Sequence, residues 1–365
     1  MRDLPLSAQP VKLDVRGPAL VPPPPARYEA QTMSSTVQFD GRHTRTTVDC
    51  DARTPSFTAA YLRVAGDECA FIETETSHAL PRLLAALAER GRRVEDVRWV
   101  VVTHAHLDHA AGAGGLLAAC PNATLLAHPR AAKHLIDPSK LVKSATAVYG
   151  EERFAKLYGK IDPIPAERVR ALGDGETFEL GGATLRVLHT AGHANHHFVV
   201  DDPEASTVYT GDSYGLVYPA LQKHGLFAIA STSPTNFDAK EARLSIDRIR
   251  ALGEKDACLT HFGACSDTGG IAQQMHAWVD RADTWVEEAA RGEETVEQIT
   301  EHLRKAWREA IEHEVETRHL AFGREEWELL TLDIDLNAQG LAVAAELKRN
   351  PPPPRPTAKA TEPKA

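Results

Sequence analysis

The sequence predicts an α/β fold in which helices cover β-sheets, followed by a purely helical region. Between residues 33 and 268, short runs of β-branched and apolar residues alternate with segments of helical periodicity. After residue 268 only helical patterns remain, as in IAQQMHAWVDRADTWVEEAARG. We therefore divide the chain into an α/β catalytic unit at 33–268 and a helical region at 269–350. Pro-rich segments at 1–32 and 351–365 are poor in core-forming residues, and we expect both to be disordered.

The individual elements follow from local patterns. Residues 58–75 predict two strands around the turn AGDE, and SHALPRLLAALAERG predicts a helix with Ser77 as its N-cap. VRWVVVT is typical of a buried strand, and HAAGAGGLLAAC of a helix weakened by its glycines. Further strands are predicted at TLLAHP, RVRALG, TFELGGATLRVLHT, HHFVVDD and STVYTGD. Residues 238–253 predict an amphipathic helix, and DACLTHFG predicts a strand that ends at a histidine.

Composition and charge narrow the functional classes. The chain has 365 residues, of which 42% are hydrophobic and 25% charged, as is usual for globular proteins. Its 41 Lys and Arg residues against 51 Asp and Glu residues give a formal net charge of -10. Because this charge repels a phosphate backbone, we expect a small-molecule substrate and no nucleic-acid partner.

Cysteine usage and hydropathy predict the compartment. The five cysteines include no CxxC pair, and their odd number does not suggest a disulfide framework, so a reducing compartment fits best. We find no signal-peptide pattern and no window approaching 18 consecutive apolar residues. We therefore expect a cytoplasmic protein without a membrane partner.

A dense group of possible metal ligands follows the predicted strand VRWVVVT. The stretch THAHLDHAAG, residues 103–112, contains His104, His106, Asp108 and His109. Three more candidates follow other predicted strands, and these are His193, Asp212 and His261. Structural histidines need only one hydrogen-bond partner and have no reason to share this placement. The shared position at strand ends therefore predicts a metal site.

The spacing within HAHLDH predicts two ions. The first two histidines alternate along an extended loop and can face one ion, whereas Asp108 and His109 turn toward a second. Nitrogen and oxygen ligands without thiolate suit Zn²⁺, with Fe or Mn as alternatives. Two divalent ions about 3.5–4 Å apart can activate water and polarise a carbonyl, which points to hydrolysis.

At these residues the sequence resembles the metallo-β-lactamase fold superfamily over about residues 35–268. The HxHxDH signature of that superfamily is present at residues 104–109, and its later metal-binding motifs match the three remaining candidates in order. The resemblance implies an αβ/βα four-layer sandwich with the metals along one edge and, here, a helical C-terminal extension. It also implies that one ion is bound by His104, His106 and His193, the other by Asp108, His109 and His261, and that Asp212 bridges them.

The resemblance also suggests a subfamily. Zinc β-lactamases carry a cysteine where this chain has Asp212, so the match is closer to glyoxalase II, to lactonases and to uncharacterised bacterial and archaeal members. The early DTG of the superfamily is replaced by ETE, which puts Glu73 in place of an aspartate. We accordingly expect a dinuclear hydrolase that uses a metal-bridging hydroxide on a small ester, thioester or lactone. Asp108 would orient the nucleophile and pass its proton to the leaving group, and Tyr214 would be an oxyanion partner.

Several alternatives stay open at this point. A mononuclear iron enzyme similar to persulfide dioxygenases would need only His104, His193 and a carboxylate such as Asp212. The insertion at 134–163 predicts either a lid over the metal edge or a packed helical segment. The C-terminal helices could cover the sandwich or form a homodimer.

Overall fold

The computed structural model of the protein describes residues 35–40, 42–232 and 237–351. The predicted N-terminal tail at 1–32 lies outside this part of the chain, and so do residues 352–365 of the predicted C-terminal tail at 351–365.

The first sheet has seven strands in chain order. They are β1 (Thr36–Asp40), β2 (His43–Asp49), β3 (Ala59–Ala65), β4 (Glu68–Ile72), β5 (Val97–Val101), β6 (Thr124–Ala127) and β7 (Val169–Ala171). Strands β1 to β4 pair antiparallel, and β4 to β7 pair parallel. Because β4, β5 and β6 are parallel, the loops that follow them emerge at one edge of the sheet.

The second sheet has six strands. They are β8 (Thr177–Leu180), β9 (Ala183–His189), β10 (Phe198–Asp202), β11 (Thr207–Gly211), β12 (Asp256–Leu259) and β13 (Gly263–Cys265). Their order across the sheet is β13-β12-β11-β10-β9-β8, with one parallel pair, β11 and β12. Both sheets are therefore mixed.

Ten α-helices complete the described chain. Seven accompany the sheets: α1 (Leu80–Glu89), α2 (Leu107–Ala110), α3 (Ala113–Ala119), α4 (Pro129–Ile136), α5 (Ser139–Tyr149), α6 (Glu151–Tyr158) and α7 (Ala239–Arg250). The last three form the C-terminal region: α8 (Thr268–Arg291), α9 (Val296–Thr317) and α10 (Arg324–Arg349). No helix in the described ranges is both long and apolar enough to cross a bilayer.

Local signals explain most helix starts. Asp238 caps α7, the helix predicted at 238–253, by accepting a hydrogen bond from the amide of Glu241 at 3.0 Å. The prediction of Ser77 as the cap before α1 is wrong. A short 3₁₀ turn at Ser77–Ala79 precedes α1, and Thr76 caps that turn by accepting from the amide of His78. Ser77 is therefore the first residue of the 3₁₀ turn, and α1 itself begins only at Leu80.

Two apolar clusters define the layers. The smaller cluster packs α1, α3 and α4 on the outer face of the first sheet. The larger cluster fills the space between the sheets and continues across the second sheet into α7 and the C-terminal helices. Within it, the rings of Trp278 and Trp307 stack with centroids 5.2 Å apart. The architecture is the expected αβ/βα sandwich with a helical extension, and the extension shares the central core.

Candidate metal centre

All seven predicted ligands lie where strands end at one edge of the sandwich. The loop after β5 carries His104 and His106, and α2 then begins and carries Asp108 and His109. The other three, His193, Asp212 and His261, follow β9, β11 and β12. His106 keeps an extended backbone (φ -67°, ψ 148°) just before α2, so the chain turns between the two halves of the motif.

Three imidazoles form the first group. The Nε2 atom of His193 lies 3.3 Å from Nε2 of His104 and 3.0 Å from Nδ1 of His106. Ligand atoms about 3.3 Å apart are what a tetrahedral ion with bonds of about 2.0–2.1 Å requires. The three rings are thus arranged as they would be around one Zn²⁺.

A second group contains a carboxylate and two imidazoles. Oδ2 of Asp108 lies 3.4 Å from Nε2 of His261 and 3.8 Å from Nε2 of His109. Asp212 stands between the groups, because its Oδ2 is 3.5 Å from His193 and its Oδ1 is 3.3 Å from His109. The two oxygens of Asp212 thus face different groups of candidate ligands.

The donor set itself fits a cation. Nε2 of His109 and Oδ1 of Asp212 are both buried, and neither makes a hydrogen bond of acceptable geometry. Buried polar atoms without partners are rare, because each forfeits its interaction with water. Divalent ions at the two groups would satisfy both atoms, and the set of imidazoles and carboxylates suits such ions.

The charges of the cluster are strongly coupled. Burial alone would lower the pKa of His109, but the carboxylates of Asp212, Glu73 and Asp108 raise this pKa well above its ordinary value. Burial would raise the pKa of Asp212, yet the facing histidines 109, 261 and 193 hold it well below its usual range. The carboxylate is thus kept ionised, as a metal ligand must be.

Glu73 orients His109 from behind. Its Oε1 lies 3.0 Å from Nδ1 of His109 and accepts a 2.5 Å hydrogen bond from the hydroxyl of Thr103. A carboxylate on Nδ1 leaves Nε2 of the ring free to face the cluster. The glutamate that replaces the aspartate of the resembled family therefore still reaches the ligand.

His197 and Gly211 fix the end of β11. The amide of Asp212 donates to Nε2 of His197 at 3.2 Å. Gly211 has φ +48°, and a Cβ there would lie 2.5 Å from Nε2 of His197 and 2.6 Å from Oγ1 of Thr103. Only glycine permits this close approach, which brings Asp212 against the neighbouring histidines.

Comparison of the sequence with protein families identifies the fold family. The family model described as the metallo-beta-lactamase superfamily matches residues 53–261, more than half of the chain. The chain belongs to this superfamily.

Individual metallo-β-lactamase relatives match over shorter segments. The metallo-beta-lactamase fold-containing protein ST1585 of Sulfurisphaera tokodaii is 29% identical over 179 residues, which are 47% of this chain and 63% of that relative. An atrochrysone carboxyl ACP thioesterase of Aspergillus fumigatus is 26% identical over 198 residues, 54% of this chain and 48% of that relative. A hydroxyacylglutathione hydrolase of Aeromonas hydrophila is 40% identical over 57 residues, 15% of this chain and 22% of that relative. The chain thus matches less than two thirds of the length of these curated relatives.

The solved structure of ST1585 supports the same fold. It aligns with a TM-score of 0.53 at 23% sequence identity and covers 78% of this chain and 93% of that chain. At this identity the likeness concerns the metallo-β-lactamase fold alone.

Three hydrogen-bond contacts that orient the candidate ligands of this metallo-β-lactamase fold could not be predicted from the sequence. Nδ1 of His193 lies 3.1 Å from the carbonyl oxygen of Ser231, and Nδ1 of His261 lies 3.2 Å from that of Phe57. The hydroxyl of Ser231 donates to Oδ2 of Asp212 at 3.3 Å. Two of the three partners are backbone carbonyls, which any residue can supply, so no motif could have revealed them.

The structure does not bring Tyr214 to the ligand cluster. Its side chain is buried, and its hydroxyl donates to the carbonyl of Thr268 at the start of α8 at 2.9 Å. Tyr218 lies beside the candidate ligands instead, because its ring is 6.3 Å from that of His261 and stacks on Phe57 at 5.2 Å. The hydroxyl of Tyr214 is thus bonded to α8 and not to a candidate ligand.

The insertion at 134–163 forms α5 and α6 near Asp108. The hydroxyl of Ser77 donates to the carbonyl of Tyr158 at 3.2 Å and accepts from the amide of Lys160 at 3.1 Å. Burial raises the pKa of Tyr158, and the nearby carboxylate of Asp108 adds to the shift. The end of α6 is therefore packed on the turn before α1, close to the metal edge.

Proposed function

We propose that the chain is a dinuclear metallohydrolase that cleaves a small thioester, ester or lactone. The observation that carries the proposal is the arrangement of Asp212 between two groups of ligands. One of its carboxylate oxygens faces His193, and the other faces His109 and His261. A single ion would leave one of these groups without a function.

Each group would hold one divalent ion, and Zn²⁺ suits their nitrogen and oxygen donors best. The first ion is assigned to His104, His106 and His193, and the second to Asp108, His109 and His261. When bound, such ions supply Lewis-acid chemistry, since they polarise a carbonyl and lower the pKa of water.

Asp108 is the residue assigned to proton transfer. Its side chain is 44% exposed, whereas those of His109, Asp212 and His261 are nearly inaccessible. A carboxylate that solvent can reach is able to orient the attacking water, accept its proton and return it to the leaving thiolate or alkoxide. In that step the water oxygen bonds to the carbonyl carbon, the bond to the leaving group breaks, and the proton ends on the leaving group.

Thioesters are the preferred substrate class. Two of the relatives have names that describe enzymes acting on thioesters, the ACP thioesterase and the hydroxyacylglutathione hydrolase. Another relative is also named a thioesterase. We place esters and lactones second because the same attack on a carbonyl carbon cleaves them.

Metal analysis together with thioester hydrolysis tests this proposal. We expect two Zn²⁺ per chain and metal-dependent release of free thiol from a short acyl thioester. His104→Ala and His261→Ala should each lower the metal content and the rate. His276→Ala is the matched control, because its imidazole pairs with Asp247 away from the cluster.

Two outcomes would overturn the proposal. One Fe per chain with O₂ uptake on a persulfide would identify the mononuclear oxygenase instead. Unchanged metal content in both ligand variants would show that the cluster is not the metal site.

A further inference from the structure

A short segment separates the metal ligands from the C-terminal helices. Residues 226–232 run from a contact with α8 to a contact with α10, and Ile229 pairs with Leu216 in an isolated antiparallel bridge. Ser231, whose carbonyl and hydroxyl contact His193 and Asp212, lies in this segment. The position of Ser231 thus affects both a first-group imidazole and the bridging carboxylate.

One side chain of α10 holds both neighbours of Ser231. The Oδ1 atom of Asn337 accepts from the amide of Thr232 at 2.7 Å, and its Nδ2 donates to the carbonyl of Ala230 at 2.9 Å. The hydroxyl of Thr232 donates to Oδ1 and to the backbone carbonyl of Asn337, both at 3.1 Å. Asn337 is only 3% exposed, so water does not substitute for these bonds.

The direction of these bonds determines how His193 faces the cluster. With Ser231 fixed, its carbonyl accepts from Nδ1 of His193, which assigns the proton to Nδ1 and leaves the lone pair of Nε2 for a metal. That Nε2 atom is the one that lies within 3.0–3.3 Å of the other two imidazoles. The side chain of Asn337 therefore acts on His193 indirectly: it holds the backbone on both sides of Ser231, and the carbonyl of Ser231 orients the imidazole.

We propose that Asn337 is a positioning residue for the metal centre, so that the C-terminal helical region sets the affinity of the first ion site. The inference rests on the proposed function, since it requires that the ligand cluster binds metal. Asn337 lies in α10, outside the matched family region at 53–261, so the functional site would extend beyond that region.

The chain offers a matched control at the other end of the same segment. Gln274 of α8 is a second buried carboxamide, and its Oε1 accepts from the amide of Ala228 while its Nε2 donates to the carbonyl of Leu226, both at 2.9 Å. Neither Leu226 nor Ala228 has a hydrogen bond to a ligand among the described contacts. Gln274→Ala and Asn337→Ala remove similar bonds from one segment, but only the second acts next to Ser231.

Zn²⁺ titration of the metal-free protein against a chromogenic chelator tests the inference. We expect two binding steps in the wild type, and His193→Ala identifies the step that belongs to the first group. Asn337→Ala should weaken that step about 10-fold, the lower end of what loss of an orienting partner costs a metal site, and should leave the other step unchanged. Gln274→Ala should bind both ions as the wild type does, although we expect its melting temperature to fall by about as much as that of Asn337→Ala.

Thr232→Val is the second variant, in case Asn337→Ala does not fold. It removes the two hydroxyl bonds to Asn337 but keeps the bond from the amide, so we expect a weakening of about 3-fold at the same step. Equal affinities in Asn337→Ala and Gln274→Ala, or unchanged affinity in Thr232→Val, would overturn the positioning role. A wild-type chain that binds no Zn²⁺ would instead remove the proposed function itself, and the inference with it.

Discussion

Asp212 is the residue that both halves of the candidate centre share. It is 5% exposed, its amide is held by His197, and its two oxygens face different imidazoles. Removing its charge affects both groups at once, whereas the loss of any one imidazole affects a single group.

We expect Asp212→Asn to retain the fold and lose metal. The neutral amide presents one oxygen instead of two, so it can no longer join the groups, and the rate should fall about 100-fold or more. Metal content by mass spectrometry and the thioester rate measure the two effects. Full metal content with wild-type turnover would contradict the bridging assignment.

Glu254 provides a pH-dependent prediction away from the metal. Burial, together with like-charge repulsion from the neighbouring Asp201, raises the pKa of this carboxyl to about 7. Oδ1 of Asp201 is buried without another partner, so a protonated Glu254 can donate to it. Because the folded-state pKa exceeds the unfolded-state value, stability falls as pH rises from about 4.5 to about 7.

Glu254→Gln should remove this loss of stability. We expect the variant to be more stable than the wild type by about 1–2 kcal/mol at pH 8 and nearly equal to it at pH 5, after discounting for the partial exposure of Glu254. Urea unfolding at the two pH values provides the measurement. A gain that is the same at both would show that the two carboxyls do not share a proton.

The candidate ligands could be identified from the sequence at the residue scale, but the groups that orient them could not. His193 and Asp212 have distinctive chemistry and follow recognisable strands, so their types and positions alone predicted a site. Ser231 and Phe57 act through backbone carbonyls, and Asn337 lies more than 70 positions after the last ligand. Such contacts depend on packing between distant segments, which a single sequence does not display.

At the scale of elements, α8 and α9 are joined by a buried ion pair. Nη2 of Arg281 lies 2.6 Å from Oε1 of Glu314, and the two side chains are 4% and 1% exposed. The other oxygen of Glu314 and two nitrogens of Arg281 lack hydrogen-bond partners. A buried ion pair with unsatisfied hydrogen-bonding atoms stabilises the fold little more than apolar packing would. Removing only one partner, however, leaves the other charge buried and uncompensated.

We expect Glu314→Leu alone to destabilise the protein by about 3–5 kcal/mol, because Arg281 would stay buried without its carboxylate. The double variant Arg281→Met, Glu314→Leu should recover most or all of that loss. The free energy of unfolding in urea compares the three proteins. A double variant no more stable than the single one would show that the ion pair itself supports the helix packing.

The predicted elements and the observed ones differ most at β1 and β2. The patterns identified the strands from residue 58 onward but did not single out the hairpin at 36–49, whose second strand contains Arg45 and three threonines. Arg45 is nevertheless 1% exposed, because its guanidinium bonds to Asp256 and Thr207 of the second sheet. A strand that is buried through ion pairing does not show the apolar alternation on which the prediction relies.

At the scale of the whole molecule, the C-terminal helices and the sheets share one core. The larger apolar cluster includes Phe198 and Leu259 of the second sheet together with Trp278, Trp307 and Leu341 of the helices. The boundary at 268 predicted from the sequence coincides with the start of α8, but apolar contacts continue across it. The helical region is therefore packed as part of the sandwich.

We expect the two parts to unfold together. Tryptophan fluorescence reports mainly on the helical region, where Trp278, Trp285 and Trp307 are fully buried, and far-ultraviolet circular dichroism reports on all secondary structure. Their urea transitions should coincide, as two-state unfolding requires. Separate midpoints would indicate that the helices form an independent unit.

The dispersal of the ligands along the chain also makes metal uptake part of the folding equilibrium. His104 follows β5 of the first sheet and His261 follows β12 of the second, so the candidate ligands come together only after both sheets have assembled. An unfolded chain would not hold these side chains together, so ions at the proposed site would bind the native state preferentially and stabilise it by mass action. Thermal stability should therefore depend on the supply of metal, and a cell short of that ion would hold less of the folded protein as well as less of the loaded site.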